Sequence, residues 1–215
     1  MDSAFASNVD RRIERGNAKR RAILERGVDL ASVEGLDGIS IGRLAADLGI
    51  SKSGVVLHFG SKLELQLAII AAASDQFVRH VVDPAEREPA GLARLWALCS
   101  GWLDHVARPT TTGGCFFSAV GAEFNSRPGR IRDALAAAHR TWNAVLIAQL
   151  ETARAAGEIA ATADPAQIAY ELDALVRHAN LSNQLHHDRQ AFARTRSAIR
   201  RLLDSLAAGD ASQGD

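Results

Sequence analysis

Residues 40–62, SIGRLAADLGISKSGVVLHFGSK, constrain the fold of this chain more tightly than any other stretch. Ile41, Leu44, Ala45 and Leu48 repeat at helical spacing, and Gly49 ends the run. A second short helix is expected from Ser51, carrying Val55, Val56 and Phe59. Two short helices meeting at a steep angle need a small residue at their contact and one tolerant of positive φ at the corner. Ala45 and Gly49 meet those needs, while Leu44, Leu48, Ile50 and Val55 supply a buried side. The pattern is that of a helix-turn-helix.

The second helix opens with Ser51-Lys52-Ser53-Gly54, small and polar where a helix in the major groove meets base edges and phosphates. A plain hairpin of core helices would give the same apolar spacing, so the residues at its C-terminal end decide between the two. Ser61-Lys62-Leu63-Glu64 has the capping-box pattern, with Ser61 as N-cap and Glu64 three residues on. Lys62 then sits at the positive end of a helix macrodipole, an unfavourable place for a lone cation. A phosphate arriving there would favour both the dipole and the lysine. The segment reads as a DNA-binding module.

The remaining chain is patterned for helices. Of its 215 residues 47% are hydrophobic, only 5% are aromatic, and no stretch alternates as a strand would, so the expected fold is all-α. A stripe of Leu63, Leu67, Ile70, Phe77 and Val81 leads out of the helix-turn-helix until Asp83-Pro84 interrupts it. Leu92 to Val106 forms the next helix, Pro109 to Gly114 a loop, and Cys115 to about Phe124 a short apolar helix. Ser126 and Pro128 are expected to start a long helix that Gly157 ends. Asp164-Pro165-Ala166-Gln167 combines an N-cap, a first-turn proline and a capping-box glutamine, opening a helix through Ala179. A last helix carries Phe192, Ile199, Leu202, Leu203 and Leu206.

Net charge is zero, but charge distribution matters more for nucleic-acid binding than the sum. Arg11, Arg12, Arg15, Lys19, Arg20 and Arg21 fall in one segment opposed by Glu14, suited either to tracking a phosphate backbone or to a solvated terminus without contacts. Beyond residue 62 acidic residues outnumber basic ones. Two cysteines, Cys99 and Cys115, make no disulfide framework, and neither a signal peptide nor a membrane-length apolar run is present, so a cytoplasmic location is expected. Enzyme signatures such as a phosphate-cradling glycine loop, Gly-x-Ser-x-Gly or His-Glu-x-x-His are absent, so no catalytic role and no cofactor are expected. His186-His187-Asp188 is not taken as a metal site, because adjacent helical residues diverge.

The run from Arg20 to about Val82, with His58-Phe59-x-Ser61-Lys62 leading into a long helix, resembles the N-terminal domain of the TetR family of bacterial transcriptional regulators. That family often has a tyrosine at the position of Leu57, where it touches a phosphate; here an apolar contact to a sugar or thymine methyl replaces it. Lys52, Ser53, Gly54 and Val55 are expected near base edges, with Ser40, Arg43, Ser51, His58 and Lys62 on the phosphate backbone. The body is also similar to the ligand-binding and dimerisation domain of the family. The Gly113-Gly114-Cys115-Phe116-Phe117 run and Glu123-Phe124 resemble one subgroup.

The resemblance implies dimerisation through segments 165–186 and 188–207, and an apolar pocket for an unknown small molecule. Trp96, Cys99, Trp102, Phe116, Phe117, Phe124 and Trp142 gather most aromatics in the middle helices, with His105, His139 or His178 as polar partners. The same aromatics at helical spacing also suit plain core packing. The expected divisions are a flexible basic arm (1–17), the helix-turn-helix domain (18–62), the helical body (63–207) and a disordered tail (208–215). The function implied is a ligand-responsive repressor acting as a homodimer on palindromic operator DNA. A constitutive regulator without an inducer, or a helical small-molecule carrier, remain the alternatives.

Overall fold

In the computed structural model, residues 2–107 and 112–206 are described, with side chains from Glu14 onward. The expected tail, the side chains of Arg11 and Arg12, and residues 109–111 of the 109–114 loop lie outside them. Helices account for the regular structure: α1 (Asp2–Glu34), α2 (Ile41–Asp47), α3 (Lys52–Phe59), α4 (Lys62–Phe77), α5 (Asp83–Ala85), α6 (Leu92–Ala107), α7 (Phe116–Phe124), α8 (Arg130–Ala155), α9 (Pro165–His186) and α10 (Gln190–Leu206). No β-strand occurs among the described residues.

Local chemistry sets most of these boundaries. Ser40, Ser51 and Ser61 each accept a hydrogen bond from the backbone N–H three residues on, at 3.1, 3.1 and 3.2 Å, capping α2, α3 and α4. Only half of the expected capping box at α4 forms, because the Glu64 carboxylate turns away to Arg130. The corner between α2 and α3 holds Gly49 at φ +63°, a conformation that a side chain would strain. Asp164 accepts from the N–H groups of Ala166 and Gln167 to open α9. α8 begins later than the proline signal suggested, at Arg130, after Gly129 at φ +139°.

Two expectations change. α1 runs unbroken from Asp2, so residues 2–17 continue the first helix rather than forming a separate arm. The composition there suits a helix, with Ala, Arg and Glu and no proline. The interruption at Asp83-Pro84 takes the form of a π-turn at Val78–Val82 leading into α5. Proline lacks the N–H that an ordinary helical turn requires, and the wider turn accommodates it.

Burial divides into two clusters. One joins Ile23, Leu44 and Val55 of the first three helices, and Leu36 and Ile39 of the turn between α1 and α2, to Leu65 and Ile69 of α4. The other packs Leu95, Leu98 and Leu103 of α6 against Leu146 and Leu150 of α8, Leu172 and Val176 of α9 and Ile199 of α10. The first cluster also takes in Phe116, Val120 and Phe124 of α7 and Ile131 and Leu135 of α8. The head's core therefore continues past residue 62 and includes α7.

Candidate nucleic-acid interface and body cavity

The two sides of α3 differ sharply. Val55 and Phe59, one turn apart, point inward; Val55 is 0% exposed. Ser51, Lys52, Ser53, Val56 and Leu57 face solvent, and Leu57 is 85% exposed. Val55 is thus a core residue and cannot reach a base, which corrects its expected role. Val56 takes its place on the outer face. The available signal was phase: once Phe59 is buried, Val55 goes with it and Val56 turns outward.

Beside this face lies a groove of about 300 Å³ between α1 and α3. Lys19, Gly54, Leu57 and His58 are among its walls. Arg20 holds its guanidinium 5.2 Å from the centre of the Phe59 ring. The cations of α1 thus stand next to the exposed helix.

Other predicted contacts already have partners within the chain. Arg43 binds Glu34 at 2.8 Å and Asp47 at 3.1 Å. Arg26 also binds Asp47, and its hydrogen bond is the main reason the Asp47 carboxyl is lowered from 3.8 to about 2. Lys62 donates to the Asp37 carbonyl at 2.7 Å, and Arg127 lies 3.3 Å from the Asp37 carboxylate. The lysine at the start of α4 is therefore satisfied inside the protein, and no phosphate is needed to explain it.

The body holds a cavity of about 630 Å³. Trp102, Phe117, Phe124 and Trp142 are among its lining residues, and so is His139. Trp96, Cys99, Phe116 and His178 do not line it. Trp96 packs under Arg200, whose guanidinium carbon is 3.7 Å from the ring centre. Cys99 is buried in the body core, where burial pushes its thiol up to about 12. Phe116 belongs to the head's core, and His178 lies on the outer side of α9, bonded to Ser182.

Sequence reasoning missed Phe77, Asp173 and Arg177 in the cavity wall. Phe77 meets Trp142 edge-on at 4.8 Å, and Trp102 meets Trp142 at 5.3 Å. Asp173 and Arg177 form an i,i+4 ion pair that in sequence looks like an ordinary surface pair. The indole N–H groups of Trp102 and Trp142 and Oδ1 of Asp173 are buried without a partner among the described residues.

A capped, glycine-cornered helix pair with one exposed short helix, carried on a helical body containing a cavity, defines a DNA-binding regulator of the helix-turn-helix class. Residues 23–69 match the family model described as bacterial regulatory proteins, tetR family, and residues 91–199 match that of the tetracyclin repressor-like C-terminal domain. The chain belongs to the TetR family of transcriptional regulators.

Among relatives, it is 25% identical over 151 residues to the transcriptional regulator AcuR of Cereibacter sphaeroides, covering 69% of this chain and 68% of that protein. A TetR regulator from Chloroflexus aurantiacus shares the fold with a TM-score of 0.83 at 20% identity, covering 90% of this chain and 98% of the other. A regulator from Saccharomonospora viridis, solved in complex with choline, aligns with a TM-score of 0.73 at 20% identity over 89% of this chain and 98% of its own.

Proposed function

We propose that the protein acts as a homodimeric repressor that occupies a palindromic operator and is released by a small molecule bound in the body cavity. The observation that carries the DNA reading is the outer face of α3, where Ser51, Lys52, Ser53, Val56 and Leu57 are exposed together. Lys52 and Ser53, with Val56 and Leu57 against thymine methyls, read base edges. Ser40, Ser51, His58 and Lys19 approach phosphates, while Arg43 and Lys62 reach them only by exchanging their present partners.

Dimerisation is supported by α9. Tyr170 (69% exposed), Leu181 (54%) and Leu185 (65%) form a stripe along its outer side that a second copy would cover. Two reading helices placed roughly 34–36 Å apart would then span one turn of DNA. The effector reading is supported by the mostly aromatic cavity and by the small molecule bound to the Saccharomonospora viridis neighbour. No single helix among the described residues is long and apolar enough to cross a membrane, which agrees with action on DNA in the cytoplasm.

The test is selection of bound duplexes from a random library and the host genome, followed by anisotropy titrations at several salt concentrations. Recovery of an inverted repeat bound in a salt-dependent way is the expected result. Weak, uniform binding to every duplex would refute the assignment of the α3 face.

A further inference from the structure

We infer that the body cavity is built for an amphipathic organic anion, a carboxylate head on an apolar or aromatic tail, with Arg177 as the residue that holds the head. This rests on the reading of the cavity as an effector site. Arg177 lines the cavity and makes its protein hydrogen bond through Nε, to Oδ2 of Asp173. Neither of its Nη nitrogens has a protein acceptor among the described residues. Its guanidinium carbon also lies 5.8 Å from the centre of the Trp102 ring. The guanidinium is therefore held in place on one edge while its paired Nη donors stay open, the arrangement that takes a carboxylate with two parallel bonds.

The charge in the wall points the same way. Asp173 is the one carboxylate among the described lining residues, and it is already engaged by Arg177, with His139 3.6 Å from the same oxygen. Its other oxygen is buried and has no partner among the described residues. Arg132 adds a second full positive charge to the lining. An organic cation would find aromatic rings here, but also two arginines against a single acid that one of them already pairs, so the net charge of the wall disfavours it. Phe77, Phe117, Trp142 and Val145 supply the apolar surface for a tail. The volume of about 630 Å³ matches roughly twenty waters' share of liquid, room for more than a bare inorganic anion.

The test uses the purified full chain and three probes of one shape: phenylbutyrate, phenylbutyramide and phenylbutylamine. Binding is followed by calorimetry and by intrinsic fluorescence, to which the lining residues Trp102 and Trp142 contribute two of the three tryptophans. The acid should bind about tenfold or more tighter than the amide, and the amine weakest. In Arg177→Gln the acid should lose that advantage while the amide binds within about twofold of the parent. Equal binding of acid and amide to the parent chain, or tighter binding of the amine, would overturn the assignment and leave the effector reading standing. Failure of all three probes to bind would overturn both. The comparison on the parent chain decides the matter even if the variant does not fold.

Discussion

The Glu123 carboxylate, on α7, reaches across to the turn after α1 and accepts from the backbone N–H groups of Leu36 at 2.7 Å and Asp37 at 3.0 Å. Hydrogen bonds to a charged group contribute about 1.5–3 kcal/mol when sheltered and less when exposed. The bond to Leu36 is part-buried and the one to Asp37 exposed. Glu123→Ala should therefore cost about 2–3 kcal/mol, which for a chain of this size lowers Tm by about 4–12 °C. Glu123→Gln keeps one good acceptor and should lose about half as much. Thermal melts followed by circular dichroism measure both. If Glu123→Ala melted within about 1 °C of the parent, water would be replacing the carboxylate without loss, and α7 would not be holding the head turn.

Three further outcomes are expected. Val55→Ala should destabilise the protein by about 2 kcal/mol through a cavity in the head core, whereas Leu57→Ala should leave Tm nearly unchanged and weaken operator binding roughly fivefold, about 1 kcal/mol; melts and anisotropy separate the two. Asp47, lowered from 3.8 to about 2 by Arg26 and Arg43, contributes stability fully present above about pH 4 and lost as pH falls through about 2. The acid limb of a Tm–pH profile should be shallower in Asp47→Asn, and an identical limb would remove the Arg26–Asp47–Arg43 cluster from that role. Cys99, with its thiol pushed up to about 12, should resist iodoacetamide in the native protein at pH 8 and react once the chain is unfolded; native labelling at that position would contradict its burial.

The head was legible because its signals are local. The cap at Ser61, the helix start at Ser51 and the corner at Gly49 depend on residues within one turn of each other, and all three appear in the structure. They are joined by a cap at Ser40, a residue expected only as a phosphate contact. Errors came where phase had to be chosen or where partners were distant in sequence. The stripe expected on α4 runs through Leu63 and Ile70; Ile70 is buried, but Leu65 and Ile69 are buried beside it and Leu63 is exposed. Gln66, a polar residue, is buried there because its amide donates to the Leu36 carbonyl at 2.8 Å. No periodicity rule can anticipate a bond spanning thirty residues. The cavity was half legible for the same reason: aromatic content marked the right helices, but only packing decides that Trp102 faces the cavity while Trp96 lies under Arg200.

Packing also places α7 between the two ends of the molecule. Phe117 and Phe124 line the cavity, Phe116 and Val120 belong to the head's core, and Glu123 holds the turn at residues 36–37. The segment entering α7 is fixed on both sides. Gly113 lies so close to α1 that a Cβ there would sit 2.0 Å from the Ser32 carbonyl oxygen, so only glycine fits. Cys115 donates its N–H to Asn180 of α9 at 2.9 Å. α7 thus joins cavity and head alongside α4, which lines the cavity through Ser74 and Phe77. A molecule in the cavity shifts the head only if it binds two arrangements with different affinity, and α7 is one of the elements in contact with both. Glu123→Ala tests this apart from stability: with α7 released from the turn, effector binding should persist while its effect on DNA affinity shrinks.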